Sequence, residues 1–165
     1  MDYMFKNCTR LISLNLIEFK GSQCTSMNEM FYNCYSLQNL KFSNFEGKDI
    51  EYMDRLFYNC SSLESLNLEN FEVNKVKDLS YLFYNCTNLT TLNIQKMKFG
   101  KASNMEFMFS NCINLLSLEF PNFQPSNTII ANNMFEFCSN LSHINFSNYD
   151  KNFSNVNSMF YNCTQ

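Results

Sequence analysis

Cysteine spacing constrains this chain more than any other feature. Cys8, Cys34, Cys60, Cys86, Cys112 and Cys138 follow one another in steps of 26, and Cys163 comes 25 residues later. Only Cys24 stands outside the series. A fixed period of this length indicates a stack of similar supersecondary units, because no unit can bury its apolar face alone.

Other columns keep the register. Phe recurs at Phe5, Phe31, Phe57, Phe83, Phe109, Phe135 and Phe160, each preceded by Met or Leu. Three residues after the first six repeat cysteines lie Leu11, Leu37, Leu63, Leu89, Leu115 and Leu141. Then come Leu14, Leu40, Leu66, Leu92, Leu118 and Ile144, followed by Leu16, Phe42, Leu68, Ile94, Phe120 and Phe146. Phe19, Phe45, Phe71, Met97, Phe123 and Tyr149 supply a last anchor. The predicted organisation is one solenoid over residues 1–165. Its units are 1–26, 27–52, 53–78, 79–104, 105–130 and 131–155, with a partial seventh at 156–165.

Two periodicities share each unit. Val76, Leu79, Leu82 and Phe83 have the three- and four-residue spacing of one helical face. Asp78 sits as an N-cap, with Ser26, Asn104 and Asn155 in the same place, and Ser26 with Glu29 fits a capping box. Leu92-Asn93-Ile94 alternates as a half-buried strand does. The predicted fold class is therefore an α/β solenoid, each unit a short helical turn, a short strand and a loop. Helical turns are expected near Met27 to Asn33 and Leu79 to Asn85. Parallel strands are expected to centre on Leu14 to Leu16, Lys41, Asn67, Asn93, Glu119 and Asn145. At roughly 4.8 Å per coil, six coils make a stack about 30 Å long. Variable turns such as Lys20-Gly21-Ser22-Gln23, Glu46-Gly47-Lys48-Asp49 and Gln124-Pro125-Ser126-Asn127 join the units, and the one-residue deletion falls in such a turn, between Tyr149 and Val156.

Charge excludes one class of partner. The net charge is −3, with acidic and basic residues interspersed. No Lys/Arg run offers a phosphate-binding stripe, so nucleic acid is not expected as a partner. No apolar stretch is long enough to span a bilayer, and no membrane insertion of this segment is expected. Met1 to Cys8 lacks the basic and apolar regions of a signal peptide.

The pattern Val-x-x-Met-x-x-Met-Phe-x-Asn-Cys-x-x-Leu-x-x-Leu-x-Leu-x-x-Phe runs through the whole chain. Val76, Leu79, Leu82, Phe83, Asn85, Cys86, Leu89, Leu92, Ile94 and Met97 display it. Ala131 replaces the first Met of its unit, and Phe137 replaces Asn. The pattern resembles the BspA-like leucine-rich-repeat surface proteins, in particular the branch with repeats of about 25 residues found in mycoplasmal lipoproteins and protists. The resemblance implies a leucine-rich-repeat-like right-handed stack, display on a cell surface, a role in adhesion or host contact, and no catalytic residues.

Chemistry is sparse. The cysteine ladder lies within disulfide reach from coil to coil, yet a Cys on a buried face serves as a small apolar residue, and free thiols are expected. Without a CxxC pair, and with His143 as the only histidine, neither a metal site nor a cofactor is expected. His143 is read as exposed, with no nucleophile or acid set beside it by the repeat. Asn7, Asn33, Asn59, Asn85, Asn111 and Asn162 form a column suited to left-handed backbone and read as a structural ladder. Several of these asparagines are sequons, of no expected use when buried.

Two candidate interaction faces remain. Tyr32, Tyr58, Tyr84 and Tyr161 share one column, which either packs flat on itself or forms an aromatic stripe of the kind enriched in interfaces. Asn15, Lys41, Asn67, Asn93, Glu119 and Asn145 line the strand face, a common binding surface of solenoids. The expected function is a non-catalytic scaffold for protein recognition. The alternatives are a spacer within a longer array and a regulatory module of an intracellular multidomain protein. The chain opens inside a predicted helical turn and stops at Gln165 before the next Leu column. It is therefore expected to belong to a longer array or to associate end to end.

Overall fold

The computed structural model describes residues 1–17, 19–42, 45–121, 123–125, 128–146 and 153–165. Tyr149, Ser126, Asn127 and part of the stretch containing the deletion lie outside them. The chain is a parallel β-solenoid. On one edge run β1 (Ser13–Leu16), β2 (Asn39–Phe42), β4 (Ser65–Asn67), β6 (Thr91–Asn93), β7 (Ser117–Phe120) and β9 (His143–Phe146). Corner pairs are β3 (Glu46–Gly47) with β5 (Glu72–Val73), and β8 (Ile129–Ile130) with β10 (Phe153–Asn155). All paired strands are parallel, and the main-edge register is one repeat: Leu14 faces Leu40, Leu66 faces Leu92 and Leu118 faces Ile144. A further parallel ladder, one residue wide, joins Ser26, Tyr52, Asp78, Asn104 and Ile130.

The expected helical turns are not there. Among the described residues there is no helix. The segment from Met27 to Cys34 is a run of tight turns in which amides alternate in purpose. Met27, Glu29, Phe31 and Asn33 donate to Tyr52, Asp54, Leu56 and Tyr58 of the next coil. Met30, Tyr32 and Cys34 donate three residues back, to Met27, Glu29 and Phe31. The same alternation recurs from Leu79 to Cys86. An α-helix keeps its bonds to itself; here half of them hold the stack together, each worth about 1 kcal/mol net. Two residues per coil take left-handed φ, Glu29 (φ 53) and Asn33 (φ 60) for instance, which no α-helix accommodates. The three- and four-residue apolar spacing misleads because these turns also aim Met27, Met30, Phe31 and Cys34 inward, and all four are fully buried. The predicted caps act locally: Asp78 and Asn104 accept from the amides of Ser80 and Glu106, two residues on, closing turns rather than capping helices. Glu29 does not reach back to Ser26 as a capping box requires; its carboxylate pairs with Lys6.

The core is a set of continuous rows. Phe5, Phe31, Phe57, Phe83, Phe109, Phe135 and Phe160 stack face to face at 5.3–5.5 Å. Leu37, Leu63, Leu89 and Leu115 are fully buried beside them. Phe42 meets Phe31, Phe45 and Phe71 edge-on, tying the strand row to the turn row. At one corner glycine is needed for space: a Cβ on Gly21 would stand 2.3 Å from the Phe45 ring.

All eight cysteines are free. Each thiol from Cys34 to Cys163 donates to a Phe carbonyl of the preceding coil at 3.0–3.3 Å. For Phe31 that carbonyl also accepts the Cys34 amide, so one oxygen serves two coils. Cys thus supplies a donor that alanine lacks in a volume the row can hold. Burial pushes the thiols up from 9.0, to about 11 for Cys34 and about 12 for Cys86 and Cys138.

Candidate functional edges

The strand edge carries the first set of expected residues. Asn15, Lys41, Asn67, Glu119 and Asn145 are exposed, and Asn93 is half-buried. Three of the asparagines serve their own backbone. The Oδ1 atoms of Asn15, Asn67 and Asn93 accept from the amides of Ile17, Glu69 and Gln95 at 3.0–3.2 Å. This is how an Asx turn closes a strand, so those three residues shape the chain before they can shape a contact.

This edge is also segmented. Strand ladders join β1 to β2, β4 to β6 and β7 to β9, but not β2 to β4 or β6 to β7. A shallow groove of about 260 Å³ lies at the first seam, lined by Leu40, Lys41, Phe42, Asn67 and Glu69 among others. Another, of about 190 Å³, lies at the second seam, beside Asn93 and Glu119. His143 is exposed, as expected, but Ser117 is its direct neighbour in the ladder, with Glu119 two residues along the strand. The repeat therefore does set a hydroxyl and a carboxylate near it, contrary to expectation. The three share an open face, and no hydrogen bond joins them among the described residues.

The turn edge carries the tyrosines. Tyr32, Tyr58 and Tyr84 stack flat, with centroids 4.6 and 4.8 Å apart. Tyr161 is exposed and meets Phe137 edge-on. Lys6 covers the outer face of Tyr32, 5.0 Å from its centroid. Burial is the main cause that pushes the Tyr58 phenol up, followed by the neighbouring Tyr84.

Beside them runs a column that sequence reading passed over: Tyr3, Glu29, Arg55, Tyr81, Phe107, Asn133 and Ser158, each directly before the Met/Leu-Phe pair. Tyr81 stacks on Phe107 at 4.8 Å and leans on Tyr84 and Tyr58 at 5.6 and 6.3 Å. The Arg55 guanidinium lies 4.9 Å over the Tyr81 ring and pairs with Asp54 at 3.1 Å. Burial raises the Asp54 carboxyl, and the Asp78 charge adds to the effect, with Arg55 opposing both.

Two columns of the turn edge, this one and the asparagine column, have left-handed backbone, yet they solve it differently. Asn7, Asn33, Asn59, Asn85, Asn111 and Asn162 have φ between 57 and 62, where Asn is tolerated best after Gly. Their amides form a ladder, Asn33 to Asn7, Asn59 to Asn33 and Asn85 to Asn59. The other column puts Tyr3, Arg55, Tyr81 and Phe107 at φ 53–62. Such residues are costly there, by about 1 kcal/mol or more each. Residue type does not mark this column, which reads Tyr, Glu, Arg, Tyr, Phe, Asn and Ser from the first coil to the last.

Among the described residues, no three His, Cys, Asp or Glu side chains are grouped to hold a metal, and no helix is long and apolar enough to cross a membrane. Searches of curated proteins and of solved structures gave no match. The family described as Mycoplasma protein of unknown function, DUF285, matches residues 1–118 and 91–165. Those two matches span the chain, which therefore belongs to that family.

Proposed function

We propose that this chain is a non-catalytic repeat scaffold for protein–protein interaction, and that its aromatic turn edge is the contact surface. One observation carries the reading. Tyr81, Phe107 and Arg55 occupy left-handed backbone that asparagine fills at less strain one column away. Tyr and Arg are also the residues most enriched at binding hot spots. The resemblance to BspA-like surface repeats, in their short-repeat branch, supports display on a cell surface and an adhesive role. A photo-crosslinking residue placed at Glu136 on this edge should give discrete protein adducts in the source cells. The same residue at Lys75, on the loop side, should give none. Equal labelling from both positions, or none from either, would sink the proposal.

A spacer role is the second reading. It is favoured by the strand-edge asparagines, whose carbonyls close their own turns. End-to-end association of two chains is part of the proposal as well. Along the turn edge, from Tyr3 to Phe137, the cross-coil amide bonds run one way, from each coil's amides to the next coil's carbonyls, so there stacked chains would meet donor to acceptor. Sedimentation that finds only monomer at high concentration would count against this part.

A further inference from the structure

We infer that the turn edge takes a proline-rich segment in the polyproline II conformation, flanked by basic residues. The inference rests on the reading of this edge as the contact surface. Three observations narrow the ligand. First, the rings of Tyr32, Tyr58 and Tyr84 lie face to face, and Lys6 covers the outer face of Tyr32. Nucleobases bind aromatic residues through free π faces, and here both faces of Tyr32 and of Tyr58 are taken. The ring edges and phenol O–H groups are what the half-buried tyrosines present.

Second, the rungs are 4.6 and 4.8 Å apart. Two rungs match one turn of polyproline II, about 9.3 Å at three residues of 3.1 Å each. A β-strand repeats its side chains every roughly 6.8 Å and falls out of step with these rungs. Polyproline II also leaves every backbone carbonyl unbonded, so carbonyls one turn apart would accept from Tyr32 and Tyr84. The second column, Tyr81 on Phe107, stands 5.6–6.4 Å from Tyr84 and makes the ridge against which proline rings would lie. Aromatic-lined surfaces of this kind bind Pro-rich segments because the ligand is already ordered.

Third, the charges beside the ridge are mostly negative. Glu29, Asp54, Glu106 and Glu136 sit on or next to the two columns, against Lys6 and Arg55. Lys6 and Arg55 are each paired with one of the acids. Basic residues at the ends of the ligand fit that excess.

The test uses the whole 165-residue chain and a synthetic decaproline with arginine at both ends, titrated by calorimetry. Saturable binding is expected. A glycine–serine peptide with the same arginines should bind at least tenfold more weakly, and so should decaproline ended with glutamates. Tyr81→Asn together with Phe107→Asn should reduce affinity at least tenfold with no fall in melting temperature, since Asn suits the backbone there. The inference is overturned if decaproline does not bind, if the glycine–serine peptide binds equally, or if the double variant binds unchanged. A double variant that melts well below the parent also overturns it, because those side chains would then be present for packing. Adducts from Glu136 in cells without decaproline binding would leave the contact surface standing and remove only the polyproline ligand.

Discussion

The two long edges of the solenoid are built by the same repeat and held by different means. On the turn edge every coil passes alternate amides to the next, from Tyr3 to Phe137, without a gap. On the strand edge, among the described residues, the ladders form three pairs and stop at the β2–β4 and β6–β7 seams. The stacked Phe row and the thiol bonds to Phe carbonyls belong to the turn edge too. A solenoid of this kind need not be a sheet with decoration. Its unbroken amide ladder lies in the turns, and the expectation to test is that the strands are the weaker partner.

That contrast can be broken experimentally. The largest effect is expected in alkali. Folded thiols at about 11 to 12 stand above their ordinary 9.0. A raised folded pKa in an acid means that stability is full below the unfolded value and is lost as pH rises toward the folded one. Denaturation midpoints should hold below about pH 9 and fall steeply above it. A flat profile across that range would show the thiol row to be wet. Next, Phe83→Ala should cost about 3 to 5 kcal/mol in chemical denaturation, since it opens the stacked row. Leu92→Ala on the half-buried strand edge should cost less, about 2 kcal/mol. Reversal of that order would make the strands the stronger edge.

Smaller effects sharpen the same contrast. Asn85→Ala removes a ladder amide and leaves Ala at φ 59; about 2 kcal/mol is expected from strain and a lost bond. Asn67→Ala, which loses only an exposed turn contact, should cost about 0.5 kcal/mol. Phe137→Asn should stabilise by roughly 0.5 to 1 kcal/mol, because φ 59 suits Asn and the ring is partly exposed. Smallest of all, Lys75→Ala breaks an exposed pair with Asp49 and should leave the denaturation midpoint unchanged within error.

Period and inward residues were legible in the sequence because burial repeats with the unit: Leu37, Leu63, Leu89 and Leu115 needed only counting. The main-edge parallel register followed from the same count. Helical turns were misread because inward spacing reports which side chains face the core, not where the amides go. Glu29 and Arg55 carried no mark of left-handed backbone, whereas Asn33 and Asn59 did. The tyrosine column was visible, but its partner column was not, since Glu29, Arg55, Tyr81 and Phe107 share a backbone conformation rather than a chemistry. Seams in the strand edge had no counterpart in the repeat at all, as Leu40, Leu66 and Leu92 look alike.

The doubly used Phe carbonyl has a genetic consequence. Each coil offers its successor the same oxygen, and takes from its predecessor the same kind of oxygen, through Cys Sγ. An in-frame gain or loss of one 26-codon unit therefore leaves no donor or acceptor stranded at the join. Unequal recombination between such stretches would yield chains of different length, with the aromatic edge longer or shorter by one rung where the unit gained or lost carries a tyrosine. Array length, and with it the reach of that edge, can then change one unit at a time with the thiol-to-carbonyl row kept unbroken.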